Sequence, residues 1–140
     1  MKLEAVVDSV EVFEWYDGVV LGLVRAANLH ALIFLLAFDP DKRRKKFCLF
    51  PLGKSEADAL LALFKTQGAE GLKQSVFSKL ATARPDAYFA RSEPEPGQTL
   101  ELTEATPIER TRLPVPFYPR IDDAVSESAI SEWLSSENPH

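Results

Sequence analysis

The chain has 140 residues, of which 46% are apolar and 26% charged, and this composition fits one soluble globular domain. A net charge of −5 excludes a chain that is cationic overall and binds nucleic acid by charge alone, and the single cysteine excludes both an intramolecular disulfide and a zinc site built on cysteines. Acidic residues interrupt the apolar N-terminal stretch, so we expect no signal peptide and a cytoplasmic location.

The first fifty residues predict an antiparallel meander of four strands. Strand-forming residues occupy positions 6–16, 19–26, 29–38 and 46–52, separated by turn signals at Asp17-Gly18, Ala27-Asn28 and Asp39-Pro40-Asp41. The third segment is apolar without interruption, which is typical of a strand buried on both faces, so residues 32–36 should lie in the core. Although residues 19–38 could cross a bilayer, the polar residues near their middle argue against a membrane span.

Two amphipathic helices are predicted after the fourth strand. Ser55 and Asp58 form a possible capping box for the first helix, which should end at Gly68. The second should end before Arg84-Pro85, and two short strands follow at 87–91 and 99–103. The predicted fold class is α+β: an antiparallel meander sheet of four to six strands, with two central helices on one face and a proline-rich C-terminal segment that ends in a helix.

Charge and proline content set the C-terminal third apart. Residues 93–140 carry a net charge of −7 and seven of the ten prolines. Because proline resists helix interiors and central strands, we divide the chain into an α+β domain (1–103) and a proline-rich acidic strap (104–140), which we expect to pack on that domain. Residues 110–120 should be extended, either as part of the strap or as a ligand for an aromatic-lined groove.

The last segment, residues 122–140, predicts a helix with a wide apolar stripe that must be buried against the chain itself or a partner. The candidate partner-binding residues on this helix are Glu127, Ile130, Glu132, Trp133 and Leu134.

Five adjacent cations form the most distinctive run in the chain: Lys42, Arg43, Arg44, Lys45 and Lys46. On an exposed turn such a run could bind the phosphates of a nucleic acid. The alternatives are a solvated hairpin tip and a contact with the acidic tail. The run contains no aromatic residue on which bases could stack, so nucleic acid is the less favoured partner.

The end of the first hairpin groups carboxylates with aromatic rings at Glu14, Trp15, Tyr16 and Asp17, an arrangement that could support acid/base catalysis. Glu11 and Glu14 are an odd number of residues apart, so in a regular strand they should point to opposite faces and could not act together. Across the predicted turn, Glu14 should pair with Leu21 and Phe13 with Gly22.

A thiol–imidazole pair of Cys48 and His30 is also disfavoured. The expected hairpin register places Cys48 opposite Leu36 and His30 opposite Lys54, about 20 Å apart along the ladder. A catalytic base must lie within hydrogen-bonding reach of its nucleophile. We therefore expect Cys48 to be a buried, unreactive thiol.

The sequence has no glycine-rich phosphate loop, nucleophile elbow or histidine-based metal motif, so we expect no cofactor and no metal, and an enzyme is disfavoured. The favoured hypothesis is a small non-catalytic interaction protein, of inhibitor or immunity type, that binds a basic macromolecular partner through an acidic, partly apolar surface. The alternatives are a nucleic-acid-associated accessory protein that uses residues 42–46, and a small carboxylate-dependent enzyme. No membrane partner is expected, and the oligomeric state is left open.

Overall fold

The computed structural model describes residues 2–15, 18–39, 44–83 and 86–112. Six antiparallel strands close into a barrel in chain order, and a long helix lies between the fourth and fifth strands in the sequence. The elements are β1 (Lys2–Trp15), β2 (Val19–Ala26), β3 (Leu29–Asp39), β4 (Arg44–Leu52), α1 (Lys54–Ala83), β5 (Tyr88–Ala90), β6 (Thr99–Glu104) and α2 (Pro107–Arg112).

The predicted antiparallel sheet is confirmed, but its closure into a barrel was not predicted. Residues 32–36 are all buried, as the uninterrupted apolar run of β3 indicates. The barrel closes because residues 2–6 of β1 pair with residues 99–103 of β6. These partners are about one hundred residues apart in the sequence, so no local pattern reveals that they meet.

Where the sequence pattern predicts two helices, the structure has one 30-residue element, α1, with a kink at Gly68. Gly68 has φ 73° and ψ −173°, a backbone conformation that suits glycine and interrupts the helical geometry. The predicted cap is also wrong. Gly53 precedes the helix and donates its amide to Glu56 Oε1 at 2.9 Å, while Asp58 instead accepts a hydrogen bond from Arg25 at 2.8 Å.

A second helix start lies where an extended chain was expected. Thr106 Oγ1 accepts the amide of Glu109 at 3.1 Å, and Glu109 Oε1 accepts the amide of Thr106 at 2.8 Å. Pro107 occupies the first helical position, where its missing amide donor costs nothing. This reciprocal capping box begins α2, which replaces the predicted extended chain at residues 110–112. Residues 113–140, including the predicted terminal helix, lie outside the described residues, and the division at residue 103 stays a prediction.

One side of the barrel is covered on its outer surface. Residues of β2, β3 and β4 are buried in succession, so both their inward and outward side chains avoid water. Helix α1 packs on the outside near β1, where the rings of Phe13 and Phe64 lie 4.6 Å apart. Its polar contacts, Asp58 with Arg25 and Lys73 with Glu14, lie on the same outer face. We call the outer surface of β2, β3 and β4 the covered side.

Candidate functional site

β1 and β6 differ from the strands of the covered side, because their side chains alternate between buried, inward positions and exposed, outward positions. Leu100 and Leu102 on β6 and Ala5 on β1 are buried, while their neighbours are exposed. We call these outward neighbours the acidic wall: Glu4, Val6, Thr99, Glu101 and Thr103. This alternation shows that the acidic wall faces water over residues 3–7 and 99–103.

Two carboxylates occupy directly opposite positions on the acidic wall. Glu4 pairs with Glu101 in the β1–β6 register, and Val6 pairs with Thr99 beside them. Both glutamates are exposed, and 56% of Val6 is accessible to solvent. Like charges directly opposite each other destabilise a sheet, whereas a cation that binds between them would remove the repulsion. The acidic wall therefore combines negative charge with an exposed apolar side chain.

A cleft of about 400 Å³ adjoins the acidic wall where β5 separates from β6. The two strands pair only at Tyr88–Glu104 and Phe89–Thr103, and the chain then diverges past Ala90. Glu4 and Glu101 line one part of the cleft, while Arg91 and Ser92 line another. The cleft thus extends the acidic wall into a concave, polar surface.

The described part of the basic run does not form an exposed cationic cluster. Lys45 forms an ion pair with Glu93, whose other carboxylate oxygen accepts the amide of Val19 at 3.3 Å. Lys46 is only 1% exposed, and its Nζ lies 4.2 Å from the centre of the Phe89 ring. The expectation that Lys46 lies on an exposed turn is therefore wrong, because its side chain is buried on β4. Lys42 and Arg43 lie outside the described residues, and Arg44 is the first residue of β4.

Within the predicted carboxylate site at the hairpin end, Glu14 is engaged in a structural contact. Glu14 Oε1 lies 2.7 Å from Nζ of the buried Lys73. Glu14 does pair with Leu21, as predicted, but Val12 rather than Phe13 lies opposite Gly22, since a bulge separates Val12 from Glu14. Trp15 is 68% exposed, while Tyr16 and Asp17 lie outside the described residues.

That bulge also overturns the prediction that Glu11 and Glu14 point to opposite faces. Glu11 pairs with Leu23 and Glu14 with Leu21, two residues of β2 that share one face. The two carboxylates nevertheless have different environments, because Glu11 is exposed whereas Glu14 meets Lys73. Their shared face therefore does not make them an acid/base pair.

Cys48 and His30 do not meet. The register pairs Cys48 with Phe34 and His30 with Leu52, two positions away from the predicted partners, and leaves the two residues about 13 Å apart along the ladder. His30 Nδ1 instead lies 3.4 Å from Nη1 of Arg25. Burial raises the pKa of the Cys48 thiol well above its ordinary value, and the nearby charge of Lys46 only partly opposes this. Cys48 is a buried thiol with a suppressed ionised form.

Sequence reasoning missed the acidic wall and placed the partner-binding residues elsewhere. Those residues, Glu127, Ile130, Glu132, Trp133 and Leu134, lie outside the described residues and stay a prediction. Alternating polar and apolar residues at 3–7 and 99–103 were the available signal for the acidic wall. They do not show that the two segments are neighbours.

Comparisons with protein-family models, curated proteins and solved structures found no significant match to this chain. No helix within the described ranges has the length and apolar character needed to span a membrane. In the same part of the chain, no group of three or more histidine, cysteine, aspartate or glutamate side chains is arranged to hold a metal ion.

Proposed function

We propose that this chain is a non-catalytic protein-binding module that recognises a basic macromolecular partner on its acidic wall. The observation that carries the proposal is the direct pairing of Glu4 with Glu101 on an exposed sheet surface. This pair costs stability in the free protein, so a cationic side chain gains binding energy there by relieving the repulsion.

Exposed Val6 supplies the apolar part of the same surface. It lies two residues from Glu4 on the outer face of β1, with Thr99 directly opposite. Protein interfaces commonly combine an apolar centre with a polar rim that remains partly in water. Val6 surrounded by glutamates and threonines has this arrangement on a small scale.

The contacts of the basic run lower the support for a nucleic-acid-binding function. Lys45 is paired with Glu93, and Lys46 is buried against Phe89, so neither described lysine resembles a solvated phosphate-binding side chain. Fluorescence anisotropy with a generic DNA duplex at low salt tests the alternative. We expect no binding. An affinity that falls steeply with added salt would favour phosphate contacts instead.

Site-directed photocrosslinking tests the proposed function itself. A photoreactive residue at position 6 should form an adduct with a basic protein in native lysate, while one at position 59, an exposed site on α1, should not. The adduct should disappear when Glu4→Lys and Glu101→Lys are combined with the probe at position 6. Adducts that are identical at both positions, or that survive the charge reversal, would contradict binding at the acidic wall.

A further inference from the structure

β1 is the longest strand of the barrel and is divided between two neighbours. Residues 2–6 pair with β6, whereas residues 7–15 pair with β2 on the opposite edge. The loop before β6 is hydrogen-bonded to the backbone of β1 at Val7, whose amide donates to Gln98 O at 2.9 Å and whose carbonyl accepts from Gly97 at 2.7 Å. Beyond Val7, no strand among the described residues pairs with this second edge, which we call the free edge of β1.

The backbone of the free edge is regular enough to pair with an additional strand. Residues 9–12 pair with residues 25–22 of β2 in an uninterrupted register between two bulges. In an antiparallel ladder, alternate residues point their amide and carbonyl groups away from the paired neighbour. Such unpaired groups can form a ladder with an added strand.

Charge determines which kind of strand can add there. Residues 3–24 contain five acidic residues and no lysine, arginine or histidine. Asp8, which precedes the regular stretch, and Glu11, which lies within it, are both exposed. A second copy of β1 would bring further acidic residues against these carboxylates, whereas lysine or arginine side chains would complement them.

Exposed apolar side chains near the free edge favour the same partner. Val12 is 38% exposed at the end of the regular stretch, and Trp15 protrudes three residues later. A strand added beside residues 8–15 would shield both side chains from water. Tryptophan is enriched among the residues that dominate binding energy at protein interfaces.

We propose that the free edge of β1, at residues 8–15, accepts an extended lysine- or arginine-bearing segment of a partner protein as an additional strand. This inference rests on the proposed function, because it gives a segment of the same basic partner an extended conformation and a second contact, which adjoins the acidic wall along β1. The added strand would be hydrogen-bonded to β1 through its backbone, while its basic side chains would lie beside Asp8 and Glu11.

The test uses the full chain and a synthetic decapeptide of alternating lysine and threonine. We expect the peptide to slow hydrogen exchange at alternate backbone amides within residues 8–15. A decapeptide of alternating lysine and proline is the matched control, because it has the same charge but proline cannot donate to a ladder. It should give no such protection.

Charge variants test the side-chain part of the inference. Asp8→Asn combined with Glu11→Gln should weaken binding of the lysine–threonine peptide about three- to tenfold, the range expected for two exposed ion pairs. Gln67→Lys combined with Gln74→Lys changes the net charge equally at exposed positions on α1 and should have less effect. Equal weakening by the two double variants would overturn a specific role for the free edge.

The remaining outcomes separate this inference from the proposed function. Peptide binding that leaves residues 8–15 unprotected would overturn the added strand, while the photocrosslinks at position 6 would still support the acidic wall. No binding at low salt would also overturn the added strand. Concentration-dependent dimerisation that protects residues 8–15 without peptide would identify a second copy as the occupant and overturn a basic partner strand.

Discussion

β3 and β6 belong to one barrel, yet the pattern of buried and exposed residues differs between the two strands. Residues 31–37 of β3 are buried without exception, whereas β6 alternates between exposed and buried side chains. Both strands contribute to the barrel interior, so the difference arises on the outer surface, which is buried at β3 and exposed at β6. An alternating pattern therefore indicates an outer surface in contact with water, and such a surface can bind a partner without disturbing the core.

The largest expected effect is a loss in the free energy of unfolding that distinguishes the covered side from the acidic wall. Phe34 on the covered side is 1% exposed and stacks on Phe50, with ring centres 5.8 Å apart. Phe34→Ala should lower the free energy of unfolding by about 3–5 kcal/mol, because it leaves a cavity in the core. Val6→Ala on the acidic wall should change it by less than about 0.5 kcal/mol. Urea denaturation measures both, and similar losses would refute the distinction between the surfaces.

The ion pair beneath α1 should have the next largest effect. Lys73 is 3% exposed and lies 2.7 Å from Glu14, but 3.6 Å from the more exposed Glu70. Glu14→Gln should cost about 1–3 kcal/mol by leaving the buried ammonium poorly paired. Glu70→Gln, the matched control, should cost less than about 0.5 kcal/mol. Thermal and urea unfolding should both show the larger loss for Glu14→Gln. A larger loss for Glu70→Gln would show that Glu70, and not Glu14, is the main partner of Lys73.

Gly22 tests how closely β1 and β2 approach. A Cβ at this position would lie 2.7 Å from the carbonyl oxygen of Glu11, so a backbone atom would have to move. Gly22→Ala should destabilise the barrel by about 1–3 kcal/mol, a typical cost of overpacking. Urea denaturation measures this loss. An unchanged unfolding midpoint would show that the two strands can separate locally at little cost.

Cys48 provides a smaller, pH-dependent test of the covered side. Burial holds its folded-state pKa above the unfolded value, which is about 8.5. The resulting stabilisation is complete below pH 8.5 and is lost as pH rises toward the folded-state pKa, because only the unfolded thiol ionises there. Wild-type stability should therefore fall by up to about 1.4 kcal/mol per pH unit more than that of Cys48→Ala above pH 9. If the stabilities of the two proteins changed in parallel with pH, folding would not suppress the ionisation of the Cys48 thiol.

Local chemistry made much of the sheet predictable. Turn-forming residues in the sequence predicted where β1, β2 and β3 give way to the next strand, and the uninterrupted apolar run of β3 predicted its burial. The cap of α2 also depends on a local signal, Thr106-Pro107 with Glu109. These features depend on residues only a few positions apart.

Longer-range features could not be predicted in the same way. Pairing of Glu4 with Glu101 requires two distant segments to meet, and neither segment specifies the other. The bulge after Val12 changes which side chains share a face, so the even–odd rule failed for Glu11 and Glu14. The sequence therefore did not identify the acidic wall as a site, although it contains every residue of that surface.

The division of β1 between β2 and β6 also determines the order in which the chain can fold. The hairpins of β2, β3 and β4 join residues that are close in sequence, so they can form early at a small cost in chain entropy. The first five residues of β1 must wait for β6, about one hundred residues later. During synthesis, β1 therefore emerges first but is among the last strands to acquire its complete set of neighbours.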